Sequence, residues 1–171
     1  MEKNAVALAI AIALIAVSIF VIQGYRSEGP AVQPGIESQG AKAPELQGIA
    51  GYINTEGIKL ADLRGKVVLI DFWTYTCINC IRTLPYLNAW YDKYHDKGFE
   101  IIGVHTPEFS FEKDYNNVKA AVDKYGIRYP VVQDNDYATW RAYKNNYWPR
   151  KYLVDAQGNI RYDHIGEGGY E

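Results

Sequence analysis

Two stretches of the chain, Lys66–Phe72 and Phe99–His105, carry nearly continuous apolar residues. Such runs are typical of strands that are buried on both faces, as in a parallel sheet. Between them, from Cys77 to about Lys97, apolar residues recur at the spacing of one helix face. A strand, a helix and a second strand in this order predict a parallel βαβ unit.

Shorter elements are predicted on both sides of this unit. Before it, Pro44–Leu60 predicts a short hairpin that turns at Thr55–Gly57. After it, the pattern predicts a helix, a short strand, a short helix and a closing antiparallel hairpin, at Phe111–Tyr125, Ile127–Asp134, Tyr137–Tyr143, Lys151–Asp155 and Ile160–Ile165. This order predicts an α/β fold with a mixed central sheet flanked by helices.

The N-terminal region has a different pattern. Ala5–Ile22 is an uncharged apolar run of 18 residues between Lys3 and Arg26. This length favours a transmembrane anchor over a cleaved signal peptide, whose apolar core is usually shorter. We assign residues 1–23 to a membrane anchor or signal segment. Either assignment predicts that the rest of the chain lies outside the cytoplasm.

The segment that follows is rich in Gly, Pro, Gln and Ser. Residues 24–43 show no apolar period, which is typical of a flexible linker. We therefore assign residues 44–171 to a single folded domain, which is within the usual size of one domain.

Composition and charge narrow the possible functions. Hydrophobic residues make up 48% of the 171 residues and charged residues 22%, which indicates a globular protein. The net charge of −2 provides no basic surface, so we predict no nucleic-acid partner. The chain has only two cysteines, Cys77 and Cys80. A single disulfide is not enough to hold a disulfide-dependent fold together, so a catalytic cysteine pair is favoured over a structural one.

The two cysteines are separated by two residues and lie where the long helix begins. The first amides of a helix and its dipole stabilise a thiolate, which predicts that Cys77 is the nucleophile. Cys80, one turn further on, lies within disulfide reach of Cys77. Asp71, at the end of the preceding strand, is predicted to lie beneath the pair, where its carboxylate can exchange a proton with the second thiol.

Topology predicts which other residues lie near the cysteines. The carboxyl ends of the two parallel strands carry the cysteine loop and the loop that includes His105 and Glu108. The first strand of the closing hairpin runs the opposite way, so Trp148 and Pro149, just before it, are expected at the same edge. Open α/β folds tend to place their chemistry at this edge.

Several motifs together resemble the thioredoxin superfamily. They are Asp71-Phe72-Trp73, the Cys77-Ile78-Asn79-Cys80 pair, Pro85 in the helix and Pro149 before the closing hairpin. The longer segments FWTYTCINCIRTLPYLNAWY, HTPEF, YPVVQDN, NNYWPRKYLVD and GEGGY resemble extracytoplasmic proteins of the TlpA/ResA class. Among these, the resemblance is to the thioredoxin-like portion of DipZ-type thiol–disulfide interchange proteins.

The resemblance implies a fold, an activity and partners. It implies a thioredoxin-like fold and a thiol–disulfide oxidoreductase without a cofactor, acting as a reductase of protein disulfides, with cytochrome c maturation as one candidate role. It implies a separate membrane electron donor of the CcdA/DsbD type. It also implies a cis bond before Pro149 and a substrate-binding rim formed by Trp148, Pro149, Tyr75 and Thr76.

The sequence departs from the family pattern at two places. Ile78 and Asn79 stand between the cysteines where thioredoxins have Gly and Pro, so a thioredoxin redox potential does not transfer. The family pattern would continue into a final helix after Gly168, and the sequence as given contains no such helix.

Two other functions stay open at this point. A redox-inert docking module would keep the fold without the exchange reaction. A copper carrier resembling Sco proteins would pair the cysteines with a distal histidine such as His164, the other histidines being His95 and His105. A structural zinc site is disfavoured because it needs four ligands and no second cysteine pair exists.

Asp71 also yields an expectation about stability. Its apolar neighbours Phe72 and Trp73 predict burial and a raised pKa, and the adjacent sequence supplies no cation. On the sequence alone, Asp71→Asn is therefore expected to raise stability near neutral pH while slowing proton release from Cys80.

Overall fold

A six-stranded mixed sheet forms the centre of the domain. The computed structural model describes residues 40–170. In chain order the strands are β1 (Gly51–Ile53), β2 (Val67–Trp73), β3 (Phe99–His105), β4 (Val131–Gln133), β5 (Arg150–Val154) and β6 (Ile160–Ile165). The helices are α1 (Ile78–Tyr94), α2 (Tyr115–Lys124) and α3 (Ala138–Ala142). Three short 3-10 helices cover Leu60–Leu63, His95–Lys97 and Ser110–Lys113.

The sheet has the order β1-β4-β3-β2-β5-β6. β2, β3 and β4 are parallel, whereas β1, β5 and β6 pair in antiparallel fashion. The predicted βαβ unit, the mixed sheet and the closing hairpin are therefore confirmed. This is a thioredoxin-like α/β fold.

Side chains alternate between the two faces of β2, and this places Asp71. Val68, Ile70 and Phe72 belong to the apolar cluster that also contains Trp140 of α3. Leu69 and Trp73 belong to the other cluster, whose members include Cys80, Leu84 and Leu87 of α1 and Val118 and Val122 of α2. Because successive strand residues point to opposite faces, Asp71 points to the same face as Leu69 and Trp73, under α1.

Three predicted elements differ in the structure. The hairpin predicted in Pro44–Leu60 is wrong, because its one strand, β1, pairs with β4 instead. The helix predicted from Phe111 is divided, since the 3-10 turn ends before Asp114, whose side chain caps α2. The strand predicted at Ile127–Asp134 is confined to β4.

The start of the domain includes residues that the sequence assigned to the linker. Ala43 donates its amide hydrogen to Gly158 O at 3.0 Å, and Lys42 pairs with Asn159 in an isolated bridge. No helix within residues 40–170 has both the length and the apolar character needed to cross a bilayer. The predicted anchor, Ala5–Ile22, lies outside the described residues.

Candidate active site

Cys77 is the N-cap residue of α1, as its position in the sequence predicts. It is partly exposed, and its sulfur accepts a hydrogen bond from the amide of Cys80 at 3.3 Å. Hydrogen bonds from the Cys80 thiol and then from the amides of Cys80 and Asn79 lower the pKa of Cys77 to about 7, although burial and the charge of Glu108 oppose the shift. This is the environment of a thiol that ionises near neutral pH.

Cys80 is the buried member of the pair. Its side chain is 0% exposed and belongs to the apolar cluster under α1. Burial, the hydrogen bond with Cys77 and the charges of Cys77 and Asp71 raise its pKa far above the ordinary value. Both cysteines are free thiols in the structure. Cys80 must therefore lose a strongly held proton before it can act as a nucleophile.

Asp71 is completely buried, as predicted, but it has a cationic neighbour that the sequence did not reveal. Lys151 Nζ lies 3.2 Å from Asp71 Oδ1, and the Lys151 side chain is itself only 7% exposed. Burial raises the pKa of Asp71, while the positive charge of Lys151 opposes part of that rise. The adjacent sequence supplies no cation to Asp71, but β5 pairs with β2 and brings Lys151 opposite it.

The loop between β2 and α1 is held by residues at the end of β3. Thr74 Oγ1 lies 3.3 Å from Nε2 of His105, and the Tyr75 ring stacks on the His105 ring at a centroid distance of 5.6 Å. His105 is 0% exposed, and burial lowers its pKa to about 4 despite the charge of Glu112. His105 is therefore a neutral structural support of this loop.

Glu112 holds the last residue before the nucleophile. Its Oε1 accepts a hydrogen bond from Thr76 Oγ1 at 2.5 Å, and its Oε2 accepts from the amides of Glu108 and Phe109 at 2.5 and 2.9 Å. Burial would raise the pKa of Glu112, but the hydroxyls of Thr74 and Thr76 and the two amides outweigh it and lower the pKa. Glu112 is thus a buried carboxylate that is held ionised.

The loop before β5 completes the edge of the sheet. The Trp148–Pro149 peptide bond is cis, as the resemblance implied. Trp148 Nε1 donates to Thr106 O at 3.0 Å, and Thr106 N donates to Trp73 O at 3.0 Å. Trp148 also packs against the apolar cluster that contains Cys80. The three loops that topology predicted at one edge are therefore in contact.

Two exposed aromatic residues lie in the loop after β3. Phe109 and Phe111 are 49% and 53% exposed, and their rings are stacked at 5.6 Å. Phe111 O also accepts a hydrogen bond from Tyr75 OH at 3.3 Å. The Phe111 ring lies 6.4 Å from the ring of Tyr75, two residues before Cys77, so this apolar surface lies beside the cysteine loop.

The remaining histidines have other neighbours. His95 Nδ1 lies 3.6 Å from Glu100 Oε2, and His164 Nδ1 lies 3.4 Å from Tyr162 OH. Within residues 40–170, no cluster of three or more His, Cys, Asp or Glu side chains has an arrangement that could hold a metal ion.

Sequence reasoning missed Lys151, Glu112 and the Phe109–Phe111 pair. Lys151 left one signal, since it is one of two adjacent cations, Arg150 and Lys151, at the start of the β5 segment that follows Pro149. Glu112 left none, because its partner Thr76 is 36 residues away and only the packing of the two loops brings them together.

Comparisons with known proteins agree with this geometry. A family model described as AhpC/TSA matches residues 39–163. Protein DipZ of Mycobacterium tuberculosis is 54% identical over 138 residues, which cover 79% of this chain and 20% of DipZ. The chain thus spans about a fifth of the length of that relative.

Other matches extend over most of both proteins. Thiol-disulfide oxidoreductase ResA of Bacillus anthracis is 32% identical over 170 residues, covering 98% of this chain and 91% of ResA. A solved thioredoxin-like superfamily protein superimposes with a TM-score of 0.71 at 30% identity, covering 75% of this chain and 88% of the other. These matches confirm the resemblance to DipZ and ResA, and the chain belongs to the AhpC/TSA family of thioredoxin-like proteins.

Proposed function

We propose that this chain is a thiol–disulfide oxidoreductase that reduces protein disulfides through Cys77 and Cys80. The observation that carries the proposal is the asymmetry of the pair. Cys77 is accessible and has a pKa of about 7, whereas Cys80 is fully buried one helical turn behind it. An accessible low-pKa thiol beside a buried resolving thiol is the arrangement that disulfide exchange requires. The ResA match supports the same activity.

The reaction proceeds in two exchange steps. The Cys77 thiolate attacks one sulfur of the substrate disulfide, which forms a mixed disulfide and releases the other substrate sulfur as a thiolate that takes up a proton. Cys80 then loses its proton and attacks the Cys77 sulfur. The second substrate sulfur leaves, and Cys77 and Cys80 are joined in a disulfide. Two electrons have passed from the dithiol to the substrate.

Asp71 is the proposed acceptor of the Cys80 proton. It lies on the sheet face under α1, and neither of its oxygens has a hydrogen-bond partner within the described residues. Its raised pKa brings it closer to that of a thiol, which favours proton transfer between the two groups. Lys151 stabilises the carboxylate form, so Asp71 is able to accept the proton.

The rim around Cys77 is proposed to bind the substrate chain. Trp148 and Pro149 form one side, and Tyr75 and Thr76 precede the nucleophile. The exposed rings of Phe109 and Phe111 extend this surface. Together these groups suit a polypeptide with apolar side chains near its cystine, and the match to the thiol-disulfide oxidoreductase ResA supports disulfides as the substrate class.

The cellular setting is also a proposal. The apolar run Ala5–Ile22 supports a membrane anchor that holds the domain on the extracytoplasmic side. A dithiol used as a reductant must be reduced again, and we propose a membrane electron donor of the CcdA/DsbD type. Substrates then include extracytoplasmic protein disulfides, such as those formed during cytochrome c maturation.

An insulin-reduction assay with dithiothreitol tests the activity. The full chain should accelerate insulin precipitation above the rate of dithiothreitol alone, and Cys77→Ser should remove the acceleration. Equal rates for the wild-type chain and the background would reject the oxidoreductase proposal and favour a redox-inert docking module.

A further inference from the structure

Glu112 makes contacts that a helix cap does not need. It belongs to the 3-10 helix Ser110–Lys113, and its Oε2 accepts hydrogen bonds from the amides of Glu108 and Phe109. These two bonds are local and would stabilise the turn by themselves. Its Oε1 instead bonds to Thr76, 36 residues earlier in the chain.

A neighbouring carboxylate shows what capping alone looks like. Asp114 Oδ1 accepts from the amides of Asn116 and Asn117 at 2.8 and 3.1 Å, at the start of α2. No hydrogen bond within the described residues joins its side chain to the cysteine loop. Glu112 and Asp114 are therefore two acids in the same segment that differ in their contact with the loop before Cys77.

The position of Thr76 constrains the position of the nucleophile, Cys77. It directly precedes Cys77, whose amide donates to Thr74 O at 3.3 Å and whose sulfur receives the Cys80 amide at 3.3 Å. The Glu112 carboxylate is 0% exposed, so its bond to Thr76 is shielded from competing water. A charge-assisted hydrogen bond of this kind is stronger than a neutral one and fixes its donor closely.

We propose that Glu112 is a positioning residue for disulfide exchange, because it binds Thr76 and thereby fixes the sulfur of Cys77 against the first amides of α1. The inference rests on the proposed function for its effect on turnover. It also concerns the geometry of Cys77, which is measurable without any protein substrate.

The consequence follows from the contacts of Cys77. Without the Thr76 bond, Thr74 and Tyr75 stay held by His105, but the residue next to Cys77 is no longer fixed, and the Cys77 sulfur loses part of its alignment with the Cys80 amide. The thiolate is then less stabilised, so ionisation of Cys77 requires a higher pH. Removal of a nearby negative charge would act in the opposite direction and make ionisation easier. Loss of positioning would therefore raise the pKa of Cys77, whereas loss of a nearby negative charge would lower it.

Two pairs of variants in the full chain test the proposal. Glu112→Gln places an amide donor against the donors Thr76, Glu108 or Phe109, whereas Asp114→Asn is the matched control at the α2 cap. Thr76→Val removes the hydroxyl, and Thr76→Ser restores it in a smaller side chain. The readout is the rate of Cys77 alkylation by iodoacetamide as a function of pH, together with single-turnover insulin reduction and urea unfolding.

We expect Glu112→Gln and Thr76→Val to move the alkylation midpoint to higher pH and to slow single-turnover reduction about tenfold. Thr76→Ser and Asp114→Asn should keep the wild-type midpoint. A midpoint that is unchanged or lower in both Glu112→Gln and Thr76→Val would overturn the proposal. If Glu112→Gln does not fold, the alkylation midpoints of Thr76→Val and Thr76→Ser test the proposal. If the wild-type chain reduces no insulin, the proposed function fails, while the alkylation midpoints still test the role of Glu112.

Discussion

Lys151 and Asp71 form an ion pair inside the protein, with the ammonium nitrogen 3.2 Å from the carboxylate oxygen Oδ1. The pair joins β5 to β2 on the sheet face that α1 covers. Burial still dominates, because the pKa of Asp71 is raised in spite of Lys151. Burial and Lys151 together thus set the protonation state of Asp71, the residue proposed to accept the Cys80 proton.

The first prediction concerns stability and refines the expectation from sequence. The pKa of Asp71 is raised in spite of Lys151, so the charged carboxylate costs stability at pH 7, and Asp71→Asn should still stabilise the protein, by less than it would without the cation. Lys151→Met should destabilise the protein, because removing one member of a buried ion pair commonly costs about 3 kcal/mol or more. Asp71→Asn combined with Lys151→Met removes both charges and should be more stable than Lys151→Met alone. Urea unfolding at pH 7 of all four proteins measures this, and an Asp71→Asn variant less stable than the wild type would contradict the prediction.

The second prediction concerns the pH dependence of stability. Because the folded pKa of Asp71 is raised, the folded protein holds this proton at pH values where the unfolded chain has lost it. The contribution of Asp71 to stability should therefore be lost as pH rises from the ordinary carboxyl range through the folded pKa. Lys151→Met should move this loss to higher pH, and Asp71→Asn should abolish it. Identical pH profiles in wild type and Asp71→Asn would contradict the raised pKa.

The third prediction concerns the order of attack. Cys77 is accessible and Cys80 is 0% exposed, so only Cys77 can meet a substrate disulfide. Cys80→Ser should accumulate mixed disulfides with substrate, and Cys77→Ser should accumulate none. Non-reducing gels of both variants after incubation with oxidised insulin report the outcome. In the wild type, Cys77 alkylation should show a midpoint near pH 7. Trapping by Cys77→Ser would reverse the assigned roles.

The fourth prediction concerns proton release from Cys80. If Asp71 accepts that proton, Asp71→Asn should slow the second exchange step about a hundredfold, while the first attack by Cys77 keeps its rate. Rapid quenching that separates mixed disulfide from product distinguishes the two steps. An unchanged second step would remove Asp71 from the reaction.

The fifth prediction concerns substrate choice. The exposed Phe109 and Phe111 rings should contact apolar side chains beside a substrate cystine. Replacing both by Ser should reduce kcat/KM about tenfold for a peptide disulfide flanked by Phe, which corresponds to about 1.4 kcal/mol. Oxidised glutathione should react at the wild-type rate. Tyr94→Ser, an exposed aromatic at the far end of α1, is the matched control. An equal loss for both disulfides would indicate damage to the site instead of lost recognition.

Much of the fold could be predicted from local patterns. The two buried parallel strands have nearly continuous apolar runs, so β2 and β3 were predicted to within one residue. β1 could not be, because a strand of three residues is set by its pairing with β4 and not by its own sequence. The place of Cys77 and Cys80 at the start of α1 was predicted because N-cap chemistry and CxxC spacing are local properties of the sequence.

The parts of the site that could not be predicted depend on contacts between distant segments. Lys151 reaches Asp71 only because β5 lies beside β2, and its positive charge in a strand gave no indication of its partner. Glu112 lies in a run of three charged residues, Glu112–Asp114, and nothing in that local sequence indicates burial. Its burial and its bond to Thr76 arise when the loop after β3 folds against the loop before α1.

The redox equilibrium of Cys77 and Cys80 is the most direct measurement of the proposed function. The full chain is equilibrated in glutathione and dithiothreitol buffers of known ratio, and the Cys77–Cys80 disulfide is quantified by mass spectrometry after thiol alkylation. For a reductase we expect one two-electron transition at a potential more negative than about −200 mV. A potential of about −200 mV or higher would contradict the reductase direction. Failure of Cys77 and Cys80 to form a disulfide at any ratio would contradict disulfide exchange itself.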